Sequence, residues 1–175
     1  MDELFDQEPE HSYALDLAIA ADLLFGDDPA QDRIRLLSAL LNGRAAPVII
    51  STSLEAASAL FSHATLSQAM ASETAAVDYL ITVELVRMWG SLRPSTIEIF
   101  RQLSLMAIDP DHDPYSPSDL FAVLPGTPPA DILVVLTQLV LGLAVTISAF
   151  DGLTNPGDSL RRLAAVDATL DHWEL

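Results

Sequence analysis

The chain contains no cysteine and no lysine. The first absence excludes disulfides, thiolate metal sites and thiol nucleophiles. The second leaves all fixed positive charge to eight arginines, set against 25 acidic residues for a formal net charge of -17. A field of that sign repels phosphates and anionic lipid surfaces, which disfavours direct nucleic-acid binding. Aromatic residues make up only 6 % of the sequence, and no segment alternates apolar and polar residues for long enough to predict a strand. Also missing are a Gly-x-Ser-x-Gly motif, a glycine-rich phosphate loop and any internal repeat.

What the chain does have is one long apolar run. Ile132 to Phe150 reads ILVVLTQLVLGLAVTISAF without a charged residue. Its length suits either a membrane span or the middle of a helical bundle. The flanks favour the bundle: Asp131 and Asp151 bracket the run, and the nearest basic residues are Arg101 and Arg161. Spans are oriented by basic residues next to them. Thr127-Pro128-Pro129 offers a cap and a helix-starting proline, and Gly152 offers a stop, as in a buried helix of a soluble protein.

At 175 residues, half of them apolar, the chain suits one domain with a sizeable core. The acidic opening MDELFDQEPE lacks the basic end and apolar core of a secretory signal. It predicts a flexible acidic leader over residues 1–10, a bundle domain over 11–175 and a cytoplasmic location.

Helical spacing and caps then predict helices at 12–25, 29–42, 54–70, 72–90, 95–108 and 157–174 around the apolar run. Asp28 and Pro29 start the second, and Asn42-Gly43 ends it. Thr52-Ser53-Leu54-Glu55 and Ser95-Thr96-Ile97-Glu98 have the capping-box pattern. Pro47 to Ser51 is a β-branched cluster that fits an extended segment or a first helical turn. A short helical piece is expected over 118–124. The expected fold is all-α: a single-domain bundle of seven or eight helices around a central apolar helix, residues 131–150.

Several constellations invite a chemical reading. Asp109, Asp111 and Asp113 alternate as in a calcium loop, but Pro114 stands where that loop needs glycine and Leu120 where it needs glutamate. An acidic loop held by prolines is the better account. The lone Glu-x-x-His, Glu8 to His11, contains Pro9 and precedes the first helix, so it does not supply a di-metal site. No cofactor or metal is expected.

Glu84 and Arg87 lie one turn apart, which predicts an intrahelical ion pair on a solvated face. If an inter-helix pocket exists, Asp78, Tyr79, Glu84, Arg87 and Phe100 are its candidate ligand-binding residues, with Trp89 and Met106 in its wall.

Two functions remain. One is a cytoplasmic interaction or regulatory protein whose acidic surface meets a basic protein partner, as an inhibitor, immunity-type protein or chaperone would. The other is a small-molecule-binding protein or enzyme with an inter-helix pocket. An acidic shell also serves solubility.

The apolar surplus further suggests a homodimer, with Pro47 to Leu60 and the edge of Ile132 to Phe150 as the segments poorest in charge. Two subunits of this charge repel, so added salt should tighten the pair by screening. Sedimentation at roughly 50 mM and 500 mM salt and tens of micromolar protein tests this, because ionic strength sets the screening length. A monomer at both salts ends the dimer reading.

Overall fold

Glycine and proline punctuation divides the chain into helices. The computed structural model describes residues 12–27, 31–66, 72–90, 93–108, 120 and 124–170. Among them lie α1 (Ser12–Phe25), α2 (Arg33–Leu41), α3 (Ala46–Leu66), α4 (Glu73–Tyr79), a π-helical turn (Leu80–Glu84), α5 (Leu85–Trp89), α6 (Pro94–Ile108), α7 (Pro129–Phe150) and α8 (Asp158–Leu170). No strand occurs among the described residues. The α4, π-turn and α5 segments follow one another without a break in helical backbone, so Glu73–Trp89 is one helix with a wide turn inside it.

α7 is the axis of the bundle. It packs against α1, α3, α5, α6, α8 and the π-turn, and 13 of its 22 residues are buried. By length and composition it could cross a membrane, with a mean hydropathy of 2.3, yet 72 % of its most apolar window is covered by the rest of the chain. Its three buried hydroxyls are satisfied within the protein. Thr137 and Thr146 donate to the carbonyls of Leu133 and Gly142, each at 2.8 Å, and Ser148 donates to Pro156 at 2.9 Å. This back-bonding lets hydroxyls sit in an apolar helix without an orphaned polar atom.

Several starts and stops are those expected. Ser72 caps α4 by accepting from the Ala75 amide at 3.1 Å, Asn42 ends α2, and Gly90 and Gly152 follow helix ends with φ of 79° and 68°. Four boundaries differ. α3 begins at Ala46 rather than 54, because Pro47 falls in the first turn, where its missing N–H costs nothing, and burial of Ile49 and Ile50 outweighs their β preference. Thr52 and Ser53 are therefore buried interior residues and not caps. α2 begins at Arg33, capped by Asp32, whose carboxylate accepts from the Arg35 amide at 3.0 Å, so Asp28 is not its cap. α6 starts at Pro94, with Ser95 already inside the helix. At α7 the N-cap is Pro128, without a side-chain bond, rather than Thr127.

The leader 1–10, the Asp109–Ser116 loop and residues 171–175 lie outside the described residues. Of the short piece expected over 118–124, Leu120 is helical and buried and Leu124 is a buried bend.

Two close approaches fix how helices seat. At Gly142 an added Cβ would stand 2.7 Å from Cδ2 of Leu85, so the glycine admits α5 against α7. At Gly157 it would stand 2.1 Å from the backbone oxygen of Ala18, a clash that no side-chain rotation relieves. Asp22 reinforces this second contact by accepting from the Gly157 amide at 2.8 Å and pairing with Arg161.

Two substitutions test this arrangement. Leu139→Asp places an unpaired carboxylate at a fully buried position on α7 and should unfold the domain, at a cost of several kcal/mol or about that order. Gly157→Ala should destabilise by about 2–3 kcal/mol through overpacking. Thermal denaturation reads both, and a wild-type melting temperature in either variant would show that the contact is not as described.

Candidate functional site

The five residues predicted to line a pocket divide into three groups. Tyr79, Glu84 and Arg87 come together at the π-turn. The wide turn brings residue 84 back beneath residue 79, so Tyr79 donates to Oε1 of Glu84 at 2.9 Å while Arg87 donates to Oε2 at 2.5 Å. Glu84 is buried, in contrast to the solvated face expected for it, and its carboxylate is held by a phenol on one oxygen and a guanidinium on the other. That hydrogen bond to Glu84, aided by burial, raises the pKa of the Tyr79 phenol. π-turns often accompany functional positions, but this carboxylate is already satisfied internally.

Asp78 lies on the exposed side of the same helix and pairs with Arg101 of α6 at 3.4 Å. Phe100 is fully buried in the core. Met106 is buried as well. Trp89 packs edge-on against Phe25, with ring centroids 5.4 Å apart, and Arg33 lies over both rings while donating to the Met88 carbonyl. The structure thus joins three of the five residues, and the other two face different surroundings.

A different set of residues forms a cleft. α3, α7 and α8 converge around a half-open space of about 240 Å³ lined by Leu60, His63, Ile147, Asp151, Ser159, Arg162 and Leu163. The surface it presents is almost wholly apolar, and of its aliphatic residues Leu60 and Ile147 are buried and Leu163 half-buried. Beside it, Nε2 of His63 lies 2.7 Å from Oδ2 of Asp151.

This pair has a local electrostatic reason. Asp151 is the C-cap of α7, where the helix macrodipole is negative, so a carboxylate is unfavourable unless a partner offsets it. His63 supplies that partner from α3.

Ser159 is committed elsewhere, donating through its hydroxyl to Ala144 at 2.8 Å while its amide donates to Ser148 at 3.1 Å. It is therefore not poised as a nucleophile. Arg162 is exposed and makes no ion pair among the described residues, whereas its neighbour Arg161 is held by Asp22 and Asp158. No group of three or more potential metal ligands occurs among the described residues. Around this apolar cleft stand the histidine–carboxylate pair and Arg162, a residue exposed to solvent.

The first turn of α8 sets where Arg162 and Leu163 stand. The Asp158 carboxylate accepts from the Asn155 amide at 3.0 Å and from Arg161 at 2.9 Å. The Asn155 bond chiefly, partly opposed by burial and helped by Arg161, holds the Asp158 carboxyl below the usual carboxylate range. Asp22 foremost, then Asp158, holds the Arg161 guanidinium more firmly in its charged form.

Sequence reading did not single out the cleft, because its residues come from three distant helices. One signal was present. An aspartate closing a helix C-terminus calls for a cationic or hydrogen-bonding partner, and a lone histidine in an Ala/Leu/Phe helix is a candidate for that role. No known family model, curated protein or solved structure matches this chain.

A depressed carboxyl pKa gives stability that is present above the unfolded value, near 3.9, and lost as pH falls through the lower folded one. Asp158→Asn should therefore destabilise the protein by about 1 kcal/mol at neutral pH. Its deficit against the parent should vanish in acid, below the folded pKa. Denaturant titrations across that range measure it, and a deficit independent of pH would show that the carboxylate charge is not what holds the turn.

Proposed function

We propose that this chain is an acidic helical interaction or regulatory protein of the cytoplasm that binds a basic protein partner, in the manner of an inhibitor, an immunity-type protein or a chaperone. The use made of the arginines supports this reading. Arg44 pairs with buried Asp16, Arg87 with Glu84, Arg101 with Asp78, and Arg161 with Asp22 and Asp158. Four of the eight arginines are thus paired with acids of the same chain, leaving at most four to offset the remaining acids of a chain with net charge -17. Acidic side chains such as Asp32, Glu98 and Asp131 reach solvent. Unneutralised charge of one sign speeds encounter with the opposite sign and rejects nucleic acid and anionic membrane.

A homodimer stays within this proposal, with an altered face. Most of Pro47–Leu60 is buried within the monomer, as is most of α7, whereas Val83, Val86 and Phe150 are exposed and Tyr79 packs against Phe150 at 6.0 Å.

A second reading, small-molecule binding, is favoured by the apolar cleft between α3, α7 and α8.

Affinity capture from native lysate at roughly 50 mM and 500 mM salt, followed by titration of the purified partner, tests the first reading through its screening. The expected result is a stoichiometric complex with a protein of basic pI whose affinity falls steeply with salt. A partner of neutral or acidic pI, or affinity indifferent to salt, would overturn it.

A further inference from the structure

We propose that the core of the bundle binds one water molecule, held where the hydroxyls of Tyr13 on α1, Ser53 on α3 and Thr137 on α7 converge, and that this water ties the three helices together.

The three helices pack on one another, and all three residues are fully buried. Neither the Tyr13 phenol nor the Ser53 hydroxyl has a hydrogen-bond partner among the described residues. Buried polar groups are nearly always paired, and one left alone bears the whole cost of its desolvation. Two orphaned donors from different helices, if they lie together, call for a shared acceptor.

That they lie together follows from the electrostatics of the phenol. Burial raises the Tyr13 pKa, and the hydroxyls of Thr137 and Ser53 are the leading influences that oppose it. Both oxygens are thus close enough to act on the phenol, yet neither meets it at hydrogen-bond geometry. Arg44 adds to the demand, since its guanidinium lies 4.8 Å over the Tyr13 ring, and its positive charge makes the phenol a stronger donor.

Ser53 could in principle satisfy itself. Other core hydroxyls do so by turning back on their own helix: Ser104 donates to the Phe100 carbonyl at 2.7 Å, and Thr137 and Thr146 bond likewise within α7. Ser53 makes no such bond, so its hydroxyl is directed away from α3.

The kind of molecule follows from the donors and acceptors on offer. The O–H of Thr137 is committed to Leu133, which leaves the lone pairs of its oxygen as an acceptor. Tyr13 and Ser53 offer O–H donors. The bound molecule must therefore accept twice and donate once, and water does this with about three bonds, the usual number for a buried one. An ion fits poorly. The charges that act on the phenol, Arg44 and Asp16, already pair with each other, and a bare ion among hydroxyls in a dry core is costly.

The test is oxygen-17 magnetic relaxation dispersion on the full chain, which counts waters that stay longer than the protein takes to tumble, together with thermal denaturation. The variants are Tyr13→Phe and Ser53→Ala, with Thr146→Val as the control, because the Thr146 hydroxyl is satisfied by Gly142. The expected result is that Tyr13→Phe and Ser53→Ala each lose one long-lived water and Thr146→Val loses none. Tyr13→Phe should also melt about 2–4 °C lower, the shift that goes with one hydrogen bond in a chain of this size.

An unchanged water count with a raised melting temperature in Tyr13→Phe would show that the phenol is solitary, and the site does not exist. An unchanged count with a lowered melting temperature means that the hydroxyls bond one another directly, which also overturns the proposal. If Tyr13→Phe does not fold, Ser53→Ala decides alone, and a count equal to the parent's sinks the idea. Loss of a water from Thr146→Val as well would reveal general loosening of the bundle and remove the assignment to this site.

Discussion

An uncharged helix from Ile132 to Phe150 must be covered on nearly every side, and most of the structure follows from that requirement. In water its exposure would forfeit the burial of eight large apolar side chains, each worth about 1.5–3 kcal/mol. Helices α1, α3, α6 and α8, with the π-turn, provide the cover. Covering helices must then come close, which explains why small residues and glycines stand at the contacts. Gly142 admits Leu85, and Gly157 lies against the backbone of Ala18. Hydroxyls on the axis cannot reach bulk water, so Thr137 and Thr146 turn back to their own helix.

With the centre dry, charge is pushed to the seams between helices, and there the absence of lysine matters. Apart from the His63–Asp151 pair, the ion pairs between helices among the described residues are made by arginine. Asp16, almost fully buried on α1, receives Arg44, whose guanidinium also lies 4.8 Å over the Tyr13 ring. A planar guanidinium can pair with a carboxylate and stack on an aromatic face together, which an ammonium does less well. A buried ion pair adds little net stability relative to a well-packed apolar pair, but breaking one side leaves a buried charge, so such a tie acts mainly to select one seating of the helices. Asp22 does the same between α1 and α8, with Arg161 and the Gly157 amide as its partners.

This division of labour explains which features could be read from the sequence. The Ser72 cap, the stops at Asn42-Gly43, Gly90 and Gly152, and the central helix depend on chemistry within a few residues, and all were legible. Thr52-Ser53-Leu54-Glu55 carried the same local signature and misled, because tertiary burial of Ile49 and Ile50 drew the helix back to Ala46. The Glu84–Arg87 pair was legible from its spacing, but its burial was not, since that depends on the π-turn that sets Tyr79 over the same carboxylate. The cleft was least legible of all. His63 and Asp151 are 88 residues apart, and nothing short of the packing of α3 on α7 shows that they meet.

The position of the cleft follows from the same requirement that organises the core. Through the middle of α7, from Val135 to Ser148, the neighbouring helices leave little exposed, but at its C-terminal end the chain must turn through Asp151 and Gly152 to start α8, and Ala149 and Phe150 are exposed. The cleft lined by Leu60, Ile147 and Leu163 lies beside the negative end of a helix dipole. Such a place needs cationic or hydrogen-bonding partners at its rim, and His63 and Arg162 are there. His63 is engaged by Asp151, and the hydrogen-bonded first turn of α8 fixes the backbone that carries Arg162.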